Sequence, residues 1–395
     1  MTGTTSSPIP EIGAHREELT AWRRDLHAHP ELAYDEKRTS AFVAEQLRSF
    51  GLDVHVGLAR TGVVASLTTG DGPAVGLRAD MDALPMQEAN RFEHRSRFDG
   101  RMHACGHDGH TVMLLAAARH LAAHPGFSGT VRFVFQPAEE AAGGAEVMID
   151  EGLFEKFPMQ RVFGLHNWPG LPAGHFAMRT GPMMASMDCF DARIIGRGAH
   201  GALPHHGIDP VLVFAHAVTL LQSIVSRNVD PLRAAVVSVT KVRGGDAHNV
   251  IPEAIEFGGA IRAFEPEIRR FAKRRLEEIL SQVAASFGAE ASVEFPVQVP
   301  AVMNDAEATK LAARAAAEVA GADAVDMQAE PVLGSEDFSL MLEKQRGCYA
   351  FIGNGDGAGS CMIHNPSYDF NDDILTVGAS YWVRLARAAV ASGGA

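Results

Sequence analysis

At 395 residues the chain is long enough for two domains, or for one domain carrying a large insertion. Its 46% hydrophobic and 21% charged residues are those of a globular protein rather than a disordered or fibrous one. A formal net charge of −13 argues against a nucleic-acid surface, which needs clustered Lys and Arg.

The N-terminal stretch MTGTTSSPIPEIG has neither a basic segment nor an apolar core, so it does not read as a signal peptide. Residues 14 to 50 follow as a helix, a loop (HAHPELAYDE) and a second helix ending at Gly51. GVVASL and AVGLRAD read as strands, TVMLLAAARHLAAH as a helix apolar nearly all round and therefore buried, and TVRFVFQ and RVFGLHN as strands again. Strands alternating with helices imply an α/β layer on a largely parallel sheet, whose ligands gather in loops at the carboxyl ends of the strands.

The texture changes after residue 185. MDCFDARIIG, RAAVVSVTKV, AIEFGGAIRAF and ASVEFPVQV read as strands, with helices over DPVLVFAHAVTLLQSIVSRN and EIRRFAKRRLEEILSQVAASF. That βαββαβ order is a ferredoxin-like α+β unit. The basic run Arg269, Arg270, Lys273, Arg274 and Arg275 lies among acids at helical spacing and reads as a solvated face. The α/β texture then resumes with a helix near 305 to 320, the GSEDF segment, the strand CYAFIG and a closing amphipathic helix. The expected division is residues 1–185 and 297–395 for an interrupted α/β domain, with 186–296 inserted in it. No run of about 18 apolar residues suggests a membrane span. Cys105, Cys189, Cys348 and Cys361 form no CxxC pair, which suits buried free thiols in a reducing cytoplasm.

The chemistry-bearing residues fall at the predicted strand ends. Cys105 and His107 share the loop HACGHDGH, Glu139 and Glu140 follow a strand in QPAEE, His166 follows one in GLHNWP, and His364 lies in the loop SCMIHNPSYDF. Taken singly, each is an ordinary buried or surface residue. Together they offer one thiol, three imidazoles and a carboxylate pair at one edge. Five donors plus a spare carboxylate suit two metal ions about 3.5–4 Å apart, with one glutamate binding metal and its neighbour acting as general base. A rival reading makes Cys105 a nucleophile with His107 as its base, but leaves the glutamates, His166 and His364 unexplained. Another keeps the metals as staples of a binding protein, with no use for an unbound Glu139.

RADMDALP, HACGHDGH, QPAEE, GLHNWP, GRGAHGALPH, HNVIP, GSEDF and HNPSYDFND, in that order, resemble the motifs of the aminoacylase/carboxypeptidase-like dinuclear metallohydrolases. The nearest subgroup is that of hippurate hydrolases, N-acyl-amino-acid amidohydrolases and auxin-conjugate amidohydrolases, and the resemblance runs through essentially the whole chain. It implies an α/β, mostly parallel-sheet catalytic domain of metallopeptidase type with an inserted ferredoxin-like dimerisation or lid domain. It implies metal ligands at Cys105, His107, Glu140, His166 and His364, with Glu139 as the base and Asp82 orienting a ligand histidine. His200 would reach the active site of a partner subunit in a homodimer, and Asn249 and Arg262 would contact substrate. The cofactor would be two divalent ions, with Zn, Mn, Co and Ni all open because a thiolate at the bridging position favours softer ions. The implied reaction is hydrolysis of N-acyl amino acids. A dipeptidase or carboxypeptidase using the same site is the alternative.

Several neighbours read as supporting residues. His103, Asp108 and His110 would back the metal loop, and His27 and His29 would order the loop before it. Glu336 and Asp337 would either cap the helix that follows or support the metal shell, and Met183 and Met184 would pack in the core.

Overall fold

The computed structural model describes residues 7–140, 143–357 and 361–392. They form two compact units, one taking in the chain to Met183 with Met303–Glu330 and the chain from Asp337, the other Met184–Val302 with Pro331–Glu336.

The first unit is built on an eight-stranded sheet. Its order is Asp53–Leu58, Gly62–Thr68, Thr130–Gln136, Ala74–Asp80, Arg161–Pro169, Arg346–Gly355, Phe176–Ala177 and Val325–Asp326. The four central strands, from Thr130–Gln136 to Arg346–Gly355, run parallel. They read as near-continuous apolar runs because both faces are covered. Leu77, Phe133, Phe135 and Phe163 are buried in the same core as Val112, Leu115 and Trp382 of the covering helices. Helix His107–Ala123 connects two neighbouring parallel strands and is buried on all sides from His107 to Ala118, as its apolar texture demands.

The sheet is largely parallel, as expected, with an antiparallel margin. Asp53–Leu58 pairs antiparallel with Gly62–Thr68, which pairs antiparallel with Thr130–Gln136. Asp53–Leu58 is an edge strand exposed along most of its length, so DVHVGL carries little apolar signal.

The second unit is a four-stranded antiparallel sheet ordered Ala235–Arg243, Ala254–Ala263, Ser186–Ile195 and Glu290–Val299. Helices Pro210–Ser223 and Pro266–Ser286 cover one face, closing a core of Phe190, Ile194, Val213, Leu221, Phe257 and Leu276. This is the split βαββαβ arrangement. Among the described residues, one helix, Pro210–Asn228, is long and apolar enough to cross a membrane by length and composition alone. Val213, Ala217 and Leu221 bury one face of it, while Val211, Leu212 and Leu220 lie on the exposed face.

Cys105, Cys189 and Cys348 are free thiols. Cys105 and Cys348 are buried, but Cys189 and Cys361 are only half-buried, so the expectation of four buried thiols fails for those two.

Candidate metal centre

Because the central strands run parallel, their carboxyl ends share one edge, and the predicted donors collect there. Asp80 ends one strand, Glu139 and Glu140 follow Gln136 at the end of the next, His166 lies in the third, and His364 is in the loop after the fourth. Cys105 and His107 join them from the start of helix His107–Ala123. The turn into that helix is made by Gly106, at φ +94°. A Cβ there would stand 2.3 Å from Asn167 Nδ2, so glycine is required on both counts.

Among the described residues, Cys105, His107 and His166 offer ligand atoms within 4.8 Å of one another, and so do Cys105, Glu140 and His364. A third such group is His107, Glu139 and Glu140. Cys105 Sγ is thus common to a histidine pair on one side and a glutamate–histidine pair on the other. His166 Nε2 lies 3.3 Å from that sulfur, and its Nδ1 donates to the Asn167 carbonyl at 2.6 Å, which leaves Nε2 as the ligating nitrogen. His364 Nε2 is 3.1 Å from Glu140 Oε1. His107 Nε2 is buried and makes no hydrogen bond, while its Nδ1 faces Asp82. A buried polar atom left this way is costly unless a further group, such as a cation, satisfies it.

The electrostatics agree. Burial, with Glu140, Glu139 and Asp80 close by, pushes the Cys105 thiol well up. Burial would lower His107, but the carboxylates of Asp80, Asp82 and Glu140 outweigh it and raise the imidazole to about 10. Burial, with His110 alongside, holds His166 well below the ordinary range. A concentration of carboxylate charge around a thiol and two imidazoles is the environment a divalent cation would neutralise.

The supporting residues divide into those that serve the donors and those that do not. Asp82 Oδ1 lies 3.3 Å from His107 Nδ1, and its two oxygens accept from the Glu139 and Glu140 amides at 3.1 and 3.0 Å. His110 pairs with Asp80 at 2.6 Å through Nδ1, and its Nε2 accepts from the Asn167 amide. Arg78, itself buried, holds Asp80, Gln136 and Asp337 together. His27 pairs with Asp108 at 2.8 Å. His29 does not order the site; its Nδ1 donates to the Asp25 carbonyl of its own helix at 2.8 Å. Asp337 makes no cap bond to the helix it precedes and accepts instead from Gln136 and the Ala145 amide. His103 is buried, but neither of its ring nitrogens makes a hydrogen bond. Asn167 went unread in the sequence although it adjoins His166 in GLHNWP; its Nδ2 donates to the Cys105 carbonyl at 2.6 Å, and its Oδ1 accepts from Tyr368.

In the second unit, His200 and Asn249 line one open cavity of about 940 Å³. His200 pairs with Val250 in a two-residue ladder, and the Gly201 amide donates to the Asn249 carbonyl at 2.7 Å. Arg262 is not brought to them. It lies eight positions beyond Ala254 on strand Ala254–Ala263, roughly 26 Å along at a strand's rise per residue, and donates to the Leu333 carbonyl at 2.7 Å.

Residues 76–388 match the model of Peptidase family M20/M25/M40. The chain belongs to that family. It is 41% identical over 379 residues to a hippurate hydrolase of Campylobacter jejuni, covering 96% of this chain and 98% of the relative. It is 38% identical to an N-acetylcysteine deacetylase of Bacillus subtilis, covering 93% and 96%. The crystal structure of a Bacillus subtilis protein described as a dinuclear metal-binding M20 peptidase superposes with a TM-score of 0.84 at 35% identity, covering 96% of this chain and 99% of the other.

Proposed function

We propose that this M20 enzyme hydrolyses the amide bond of N-acyl amino acids, releasing an amino acid and a carboxylic acid. The observation that carries the reading is the double membership of Cys105. One ion would be held by Cys105, His107 and His166, the other by Cys105, Glu140 and His364, with the thiolate shared. Two ions bound there would supply a water acidified towards neutral pKa and polarisation of the amide carbonyl. Zn, Mn, Co and Ni all suit the mixed sulfur, nitrogen and oxygen set.

Glu139 is the general base. Its amide is fixed by Asp82, and its carboxylate lies beside His107 and Glu140. It takes a proton from the attacking water and returns it to the leaving nitrogen as the C–N bond breaks. A nucleophilic Cys105 fits less well, since it leaves Glu139, Glu140, His166 and His364 without a role although Glu140, His166 and His364 lie within ligand distance of its sulfur.

His200 stabilises the oxyanion of a site in a second copy, and Asn249 and Arg262 contact the substrate. Arg262 and the His200–Asn249 cavity stand at opposite ends of one strand, too far apart for one copy to bring both to one small substrate, which supports a shared site. The exposed apolar face of helix Pro210–Asn228 supports a homodimer made through this unit. Free thiols at Cys105, Cys189 and Cys348, the first needed as a thiolate, fit a reducing compartment such as the cytoplasm.

The test is a panel of N-benzoyl and N-acetyl amino acids and dipeptides against protein reconstituted with each ion. Turnover of the acyl amino acids, lost on chelation and restored by metal, is expected. Preference for dipeptides would favour the carboxypeptidase alternative, and activity that survives chelation but not thiol alkylation would sink the metal reading.

A further inference from the structure

The loop carrying Glu139 and Glu140 is gripped from behind by Glu36, the last residue of the loop HAHPELAYDE. Glu36 is fully buried and immediately precedes helix Lys37–Ser49, yet its side chain makes no capping bond to that helix. Its Oε1 accepts from the Ala138 amide at 2.9 Å and the Tyr34 amide at 3.0 Å, and its Oε2 accepts from the Thr61 hydroxyl at 2.6 Å. Ala138 is buried in left-handed backbone at φ +57°, a strained conformation for an L-residue that needs an external hold. The next two amides, of Glu139 and Glu140, go to Asp82. Three successive N–H groups therefore end on two carboxylates, and the turn they define sets the direction in which the two glutamates leave the strand.

The two carboxylates differ in what else they do. Asp82 also faces His107, so its loss would disturb a metal donor directly. Glu36 touches none of the five donors, and its bonds go to backbone and to Thr61. Burial pushes its carboxyl up to about 7 despite these donors. An apolar residue of similar size would fill the space without that desolvation, but would leave the Ala138 amide and the Thr61 hydroxyl unpaired.

We propose that Glu36 is a positioning residue for the Glu139 base, locking the left-handed turn at Ala138 as a hydrogen-bond acceptor. The proposal rests on the reading of Glu139 as base. Its test uses the metal-loaded protein and the variants Glu36→Met, which keeps the volume and removes the acceptors, and Glu36→Gln, whose carbonyl still accepts from both amides and whose NH₂ can donate to Thr61. Glu36→Met should lower kcat about 10- to 100-fold at nearly constant KM, the scale of an ångström's misplacement of a catalytic group. It should leave metal content unchanged and accelerate hydrogen exchange at the Ala138, Glu139 and Glu140 amides. Glu36→Gln should recover kcat to within about threefold of wild type and restore the protection.

If Glu36→Met does not fold, Glu36→Asp retracts the acceptor by one methylene while keeping the charge, and the same loss is expected. Wild-type kcat with protected amides in Glu36→Met, a change confined to KM, or a Gln variant as impaired as Met would each overturn the proposal. The exchange readout keeps it separable from the activity: a wild type inactive on N-acyl amino acids, with the amides still freed in Glu36→Met, would sink the substrate reading and leave the grip on the loop standing.

Discussion

The donors of the first unit and the polar residues of the second are built differently. Cys105, His107 and His166 are buried, and their surroundings hold them redundantly: Asn167 grips the Cys105 carbonyl, Asp82 faces His107, and the His364 amide donates to the Ala104 carbonyl at 2.7 Å. His200 is exposed on a two-residue ladder and Asn249 is exposed just before its second strand, and His200 Nδ1 accepts from the Ala202 amide at 3.1 Å. A metal shell needs fixed distances before the ion arrives, whereas a residue meant for another molecule has to stay accessible until it does.

The largest expected effect isolates the first region. Glu139→Gln should lower turnover by about 10²- to 10⁴-fold, the range for a general base, with two metal ions still bound by elemental analysis. Loss of metal together with activity would mean that Glu139 is a ligand and that the division of labour between the paired glutamates is the reverse.

The second region should respond almost as strongly, but in trans. His200→Ala should cost about 10²- to 10³-fold in kcat, as when one oxyanion donor is removed. Mixing it with Glu139→Gln after subunit exchange should restore activity to at most about a quarter of wild type, since half the dimers are hybrids and one of their two sites is intact. No recovery after proven exchange would confine His200 to its own copy.

Those two regions also differ in how much could be read beforehand. The candidate donors lie in polar loops beside apolar runs, so Cys105, His107, the Glu139–Glu140 pair, His166 and His364 are legible together, whereas the choice of Glu140 as ligand and Glu139 as base rests on the family resemblance. The antiparallel edge strand Asp53–Leu58 was missed because it is mostly exposed. Asn167, Arg78 and Glu36 were missed for a common reason: their partners lie 62, 58 and 102 positions away, at Cys105, Gln136 and Ala138. No local periodicity marks such pairs. Asp82 was anticipated as an orienting partner of a histidine, but its hold on the Glu139 and Glu140 amides depends on a contact between two strand ends that sequence spacing does not report.

That double role makes Asp82 the next test of how far the first region is preformed. Asp82→Asn should weaken metal binding about 10- to 100-fold, as removal of a partner behind a ligand does, by titration calorimetry of the metal-free protein. Unchanged affinity with lower kcat would show that its work lies in the amides alone.

The smallest effect concerns the charge network behind the Cys105 loop. Arg23, His27 and Asp108 are buried together, with His27 Nδ1 2.8 Å from Asp108, its Nε2 3.2 Å from Glu88, and Arg23 bonded to Asp369 and Asp372 at 2.7 and 2.6 Å. Asp108 follows His107 directly, so this network fixes the first turn of the helix that carries a donor. Burial alone would lower His27, but the Asp108 and Glu88 carboxylates prevail and raise it to about 9. The folded state therefore holds this proton more tightly than the unfolded chain does. The stability it contributes is complete below an unfolded value of about 6.5 and is lost as pH rises towards 9. His27→Gln cannot take up that proton. The Tm difference between metal-loaded wild type and His27→Gln should accordingly narrow by several degrees from pH 6.5 to 9. A constant difference would mean that His27 is held by shape rather than by charge, and that the helix start owes its position to Arg23 and its two aspartates.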